Sequence, residues 1–147
     1  GITVNPTLQT NYTSKDKWYT GPNSSSWGSA GKYNPETDYR RYSSGWAGSG
    51  GVYIGGVPWN VVKTEESTFA SYGDAAVFII GRVGGEGADL KMSGAPDGYN
   101  GDFLHLTQKE MDTLEGLNAL KKAGTFKKII MIINSASMVG ADFLHKN

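Results

Sequence analysis

Cysteine is absent from this sequence, which excludes disulfides, thiolate catalysis and zinc–thiolate sites. Net charge is absent too: 14 Lys and Arg balance 14 Asp and Glu. A domain that tracks phosphates normally carries a clear basic excess, so nucleic acid is not expected as a partner. A polybasic patch for an anionic membrane surface is not expected either. No apolar run reaches the ~18 residues of a membrane-spanning helix. The opening Gly1-Ile2-Thr3-Val4-Asn5-Pro6 lacks a basic stretch followed by an apolar one and does not read as a signal peptide, so cytoplasmic and secreted locations both stay open. Histidine is scarce. His105 and His145 lie far apart with no obvious partner, and a packed or surface role is expected for both. The chain has no His-Glu-x-x-His, no Gly-x-Ser-x-Gly and no phosphate-binding Gly-x-x-x-x-Gly-Lys pattern. No metal and no cofactor are expected.

What is present divides into two textures. The 147 residues suit a single domain, residues 1–147, with one core. Within it, residues 13–63 form a loop-rich aromatic region, with stretches such as Gly21-Pro22-Asn23-Ser24-Ser25-Ser26-Trp27-Gly28 that read as turns. A loop region of this length is uncommon in a compact domain unless it is functional, disordered or packed on a partner. Trp18, Trp27, Trp46 and Trp59, with Tyr33, Tyr39 and Tyr42, could stack on sugar rings or pack against a partner; interface packing is the preferred reading. Gly51–Ile54 and Val57–Val62, separated by Gly55-Gly56, look like a hairpin.

Residues 64–147 read as a βαβ core. Ala75–Ile80 and Lys128–Asn134 are continuous apolar runs, suited to parallel strands buried on both faces. Between them, Thr107 and Glu110 give a Thr-x-x-Glu capping box, Met111, Leu114, Leu117 and Leu120 an apolar stripe, and Gly124 a helix stop. Upstream, Asn5 caps a helix that begins at Pro6 and runs to about Tyr12, and Ile2-Thr3-Val4 is either a short strand or a lead-in. Thr64 to Ser71 forms another short helix, stopped by Gly73. The fold class is α/β: part of an α/β/α sandwich with a mostly parallel sheet, plus a long Gly/aromatic-rich irregular or hairpin region.

The first apolar run ends in Gly81-Arg82-Val83-Gly84-Gly85-Glu86-Gly87-Ala88-Asp89-Leu90. In open α/β sheets, ligands bind beyond the carboxyl ends of the strands. A lone glutamate between glycines projects with few neighbours, and a raised pKa would suit it to general acid or base work. Loop glutamates are also commonly just solvated. The loop lacks the third glycine of a dinucleotide fingerprint, so nucleotide binding ranks last.

Asp74 to Asp89, Asp-Ala-Ala-Val-Phe-Ile-Ile-Gly-Arg-Val-Gly-Gly-Glu-Gly-Ala-Asp, closely resembles the signature of the C-terminal α/β domain of glycoside hydrolase family 3. The resemblance continues through Gly101–Thr107, through Ile129–Ser135 and in the opening Gly1–Leu8, about half of the chain. It implies a retaining β-glycosidase of β-glucosidase type acting on a carbohydrate, with Glu86 as general acid/base and Arg82, Gly85 and Asp89 as substrate-binding residues. It also implies a nucleophilic aspartate on a separate (β/α)8 barrel, which at about 250 residues cannot fit in this chain. The chain therefore reads as a fragment of that domain, inactive alone, and its open sheet edges favour a homo-oligomer. Many relatives carry arginine after the motif's aspartate, where this chain has Leu90. The rival reading is a non-catalytic carbohydrate-binding or interaction module derived from the same domain.

Overall fold

The computed structural model of the chain describes residues 1–13, 43–44, 52–53, 57–82, 104–135 and 138–145. Helix α1 spans Pro6–Thr13. Asn5 starts it as expected: its Oδ1 accepts from Thr7 N at 3.0 Å and Leu8 N at 3.3 Å, meeting two donors that have no partner inside the helix. Asn5 is itself buried, and its Nδ2 donates to Thr68 Oγ1 at 2.8 Å, which ties the cap to the middle of the chain. Ile2 and Val4 are largely exposed and belong to no strand, so the first residues are a lead-in.

The expected hairpin over 51–62 does not form. Strand β1, Ser43–Ser44, pairs antiparallel with β2, Val52–Tyr53, while Trp59–Val62 is a helical turn, α2. Pro58 decides this. Its extended backbone sits at the N-cap, and its carbonyl accepts from Val61 N and Val62 N. Trp59 and Val62 then share one side and reach the core, a spacing of three that suits a helix and not a strand. The chain continues as a 3-10 helix over Lys63–Tyr72, with Gly73 as C-cap, where the sequence predicts a short helix. Ten residues is long for this helix type. Thr64 and Thr68 donate their hydroxyls to the carbonyls of Val61 and Glu65, three positions back, at 2.7 Å each.

The fold is mixed α/β, with helices on one face of a two-stranded parallel sheet. Strand β3, Ala76–Arg82, pairs with β4, Ile129–Ser135, from Ala76 opposite Ile129 to Arg82 opposite Ser135. Between them runs helix α3, Gln108–Lys122. Its capping box is complete: Thr107 Oγ1 accepts from Glu110 N, and Glu110 Oε2 accepts from Thr107 N. Its end is a Schellman turn, with Gly124 N donating to Lys121 O and Thr125 N to Leu120 O. Gly124 has φ +82, the left-handed region where glycine carries no Cβ penalty.

One face of the sheet carries the core. Leu117 and Leu120 of α3 pack with Val62, Phe69, Ala76 and Phe126. Towards the carboxyl end of the strands, Leu114 packs with Ile80, Leu106 and Phe143, the last from a 3-10 turn at Asp142–His145. Phe78 lies against both groups and joins them. The opposite face departs from the sequence expectation of strands buried on both sides. Val77 and Ile79 are 57% and 50% exposed, and the residues beside them, Ile130 and Ile132, 41% and 44%. The reason is geometric: α3 and the Phe143 turn both lie on the face of Ala76, Phe78 and Ile80, and no described element packs on the other.

Trp59 docks α2 on α3 at Gly116, where a Cβ would overlap Trp59 Cε2, Nε1 and Cζ2. Alanine at an interior helix position normally gains about 1 kcal/mol over glycine. Here Gly116→Ala is expected to destabilise by about 1–3 kcal/mol, because the indole must move out of a packed site. In a Trp59→Ala background the same substitution is expected to stabilise. Equilibrium urea denaturation of the four variants checks this, and the same sign in both backgrounds would refute the contact as the cause.

Lys127 Nζ donates to Asp74 Oδ1 at 2.6 Å, across the start of the sheet. The hydrogen bond and the charge of Lys127 hold the Asp74 carboxyl below its ordinary pKa, and the same two causes raise Lys127. Asp74 thus adds stability above its unfolded pKa and loses it as pH falls through its lowered folded value. Lys127 adds stability below its unfolded pKa and loses it as pH rises through its raised folded value. Both side chains are almost fully exposed, so the gain is small and salt-screened. Asp74→Asn is expected to lower the urea midpoint slightly at neutral pH, and not at all in strong acid or high salt. A deficit that persists in acid would mean the pair is not its source.

Candidate functional site

The carboxyl end of β3 is where the sequence places the chemistry. Gly85, Glu86 and Asp89 lie outside the described residues, as do Trp18, Trp27, Trp46, Tyr33, Tyr39 and Tyr42. Arg82 is described. It is the last residue of β3 and is buried, with its side chain fully enclosed. A buried guanidinium needs an anion and acceptors for its donors. Glu110, in the first turn of α3, supplies the anion: Arg82 Nη1 donates to Oε1 at 2.7 Å and Nη2 to Oε2 at 2.9 Å, a two-point fork. The remaining terminal hydrogens go to carbonyls, from Nη1 to Gly81 O and from Nη2 to His105 O, both at 3.0 Å. All four terminal N–H donors of Arg82 therefore face protein acceptors.

Glu110 works in two directions. While it holds Arg82, its Oε2 also accepts from Thr107 N at 2.8 Å. One carboxylate thus joins the end of β3 to the residues that lead into α3. Behind it stands a second brace. His105 Nε2 lies 3.4 Å from Asp142 Oδ2, and Gly140 N donates to Leu104 O at 2.6 Å, so the C-terminal segment backs the same stretch.

Two of these partners are not legible in the sequence. Glu110 was legible as a capping residue but not as the counter-ion of Arg82, and His105 has a partner in Asp142 that spacing alone does not suggest. The usable signal is the arginine itself: a cation at the end of a buried strand calls for an acid beside it, and the capping glutamate is at hand. Trp59 is placed as packing, against Gly116 and the core. Among the described residues, no cluster of three or more His, Asp or Glu could hold a metal ion. No described helix is long and apolar enough to cross a membrane.

Chemically, the described part of the site is a neutralised, fully engaged ion pair beside the start of α3. The capping box occupies donors at that helix start, which would otherwise favour an anion. No protein-family model matches the chain, and comparisons with curated proteins and with solved structures found no match.

Proposed function

We propose that the chain is part of the C-terminal α/β domain of a retaining β-glycosidase, β-glucosidase-like and of glycoside hydrolase family 3, and that Glu86 is its general acid/base. One observation carries the reading beyond the motif. β3 and β4 are parallel and joined through α3, and Glu86 follows four positions after the carboxyl end of β3, where open α/β sheets bind ligands. In this reading the parallel pair belongs to a larger α/β/α sandwich. The nucleophilic aspartate comes from a (β/α)8 barrel that acts as partner domain, with the two carboxyls about 5–5.5 Å apart. Glu86 protonates the leaving oxygen and then deprotonates the attacking water. Gly85 and Asp89 flank it and contact the sugar. No cofactor or metal takes part.

A second reading has its own observation in favour. The uncovered Val77, Ile79, Ile130 and Ile132 form an apolar strip suited to a partner surface, either the barrel or a second copy of the chain. A non-catalytic carbohydrate-binding or interaction module would use such a strip without needing Glu86. The deciding experiment pairs Glu86→Gln in the barrel-containing enzyme with calorimetric sugar titration of the chain alone. Lost turnover with folding intact supports the glycosidase. Unchanged turnover removes Glu86 from the mechanism, and sugar binding by the chain alone then favours the module.

A further inference from the structure

We propose that β4 is the interface of a symmetric dimer: its outer edge pairs antiparallel with the same strand of a second copy of the chain, giving a continuous four-stranded sheet. This narrows the self-association expected from open sheet edges to one strand, and it does not depend on whether the chain is a glycosidase domain. β3 is the covered strand, with Ala76, Ile80 and Arg82 buried, whereas no residue of β4 is. Among the described residues only β3 pairs with β4, so the other edge of β4 has no described strand beside it. Ile133 marks where the core stops. It shares the α3 side of the sheet with Ile129 and Met131 and lies next to the fully buried Ile80, yet it is 50% exposed.

The chemistry of the strand selects a second copy as the occupant. Edge strands of monomers commonly carry a charge, a proline or a bulge that deters pairing. Ile129-Ile130-Met131-Ile132-Ile133 is five apolar residues in succession with neither charge nor proline. Such a run suits its own copy, because β-branched side chains pack well on each other across paired strands. The chain carries no net charge, so two copies meet without general repulsion. The lysines decide the direction. Lys127 and Lys128 are exposed just before β4. A parallel pair would set the lysines of both copies side by side, whereas an antiparallel pair centred on Ile132 keeps them about 25 Å of strand apart. A two-fold axis through the sheet at Ile132 leaves α3 of both copies on one side. Met131 of each copy then lies beside Ile133 of the other, and Ile133 gains the cover it lacks. Stacking of the open faces is the weaker arrangement. Val77, Ile79, Ile130 and Ile132 are only about half exposed, and four such side chains fall well short of the roughly 800 Å² per partner of a stable interface. Edge pairing adds main-chain hydrogen bonds to the side-chain contacts.

The test uses the chain of 147 residues, which has no cysteine, so a single introduced one reports the pairing. Directly opposite residues of an antiparallel pair have Cα atoms about 4.5–5.5 Å apart, within reach of a disulfide. The wild type is expected to sediment as a dimer at micromolar concentration. Ile132→Cys is expected to form a cross-linked dimer under mild oxidation, and Ile79→Cys, on the same face but in β3, is not. Ile132→Lys sets two like charges face to face and is expected to weaken the dimer by about tenfold or more, with Ile79→Lys leaving it unchanged. If a lysine variant fails to fold, the smaller and uncharged cysteine pair still gives the answer. A monomeric wild type overturns the proposal. Cross-linking at position 79 as readily as at 132, or equal weakening by the two lysines, overturns edge pairing in favour of stacked faces. Sedimentation beyond the dimer overturns the two-fold closure. None of these results bears on Glu86→Gln, which tests the glycosidase reading separately.

Discussion

Glu110→Ala is expected to destabilise the chain by about 3–5 kcal/mol, because it leaves the Arg82 guanidinium buried without its anion. The side-chain exposures of the pair, 0% for Arg82 and 13% for Glu110, make the effect asymmetric. Arg82→Met removes the charge that cannot reach water and leaves a carboxylate at the surface edge that can be hydrated and can still cap α3. It should cost clearly less. Glu110→Ala also breaks the capping box, a loss of about 1 kcal/mol. Small domains hold about 5–15 kcal/mol in total, so this single change removes a large share of the stability. Equilibrium denaturation of both variants is the check. Arg82→Met as harmful as Glu110→Ala, or more so, would show that the unpaired Glu110 carboxylate and the lost bonds to Gly81 O and His105 O cost more than a buried guanidinium without its anion.

On the proposed glycosidase reading, Glu86→Gln is expected to lower turnover of a barrel-containing enzyme by about 10²–10⁴-fold, the usual scale of general acid–base assistance. The amide has the shape of the carboxyl but can neither deliver a proton to the leaving oxygen nor take one from water. Two signatures separate this from a general defect. Glycosides with a weakly basic leaving group, which need little protonation, should lose less in the first step than alkyl glycosides. The alkaline limb of the kcat/KM profile, which reports the proton on the acid, should disappear. A uniform loss across leaving groups with the pH profile intact would point to misfolding and not to lost proton transfer. Steady-state kinetics over a leaving-group series measures both.

The parts of this fold that were legible from sequence are those fixed by short-range chemistry. Asn5 before Pro6, Thr107 three before Glu110 and Gly124 after two lysines each satisfy backbone groups within a few residues, and each sits where its spacing predicts. The two apolar runs became β3 and β4. Their exposed side was not legible, because a continuous apolar run looks the same whether one face or both are covered; what differs is which elements pack there. The hairpin expectation fails at Trp59 because Val57, Trp59 and Val61 alternate like a strand while Trp59 and Val62 also fit a helical turn. Pro58 decides between them, through its extended backbone at the helix start. Arg82 drew attention through its neighbours in the motif. Its bond to Glu110, 28 positions on, depends on how α3 is placed against the strand, which no local pattern encodes.

The parallel pairing also sets how far apart in the chain its contacts lie. Strand β4 meets β3 across a wide interval, with Lys127 bonded to Asp74 from 53 positions away and the whole of α3 between. Such contacts form only after a long chain closure, which slows folding compared with chains built from local contacts. Helix α3 carries its own start and stop signals within its borders and can assemble early. The sheet depends on the longest chain closure in this crossover, while α3, whose ends are set by residues beside them, needs none.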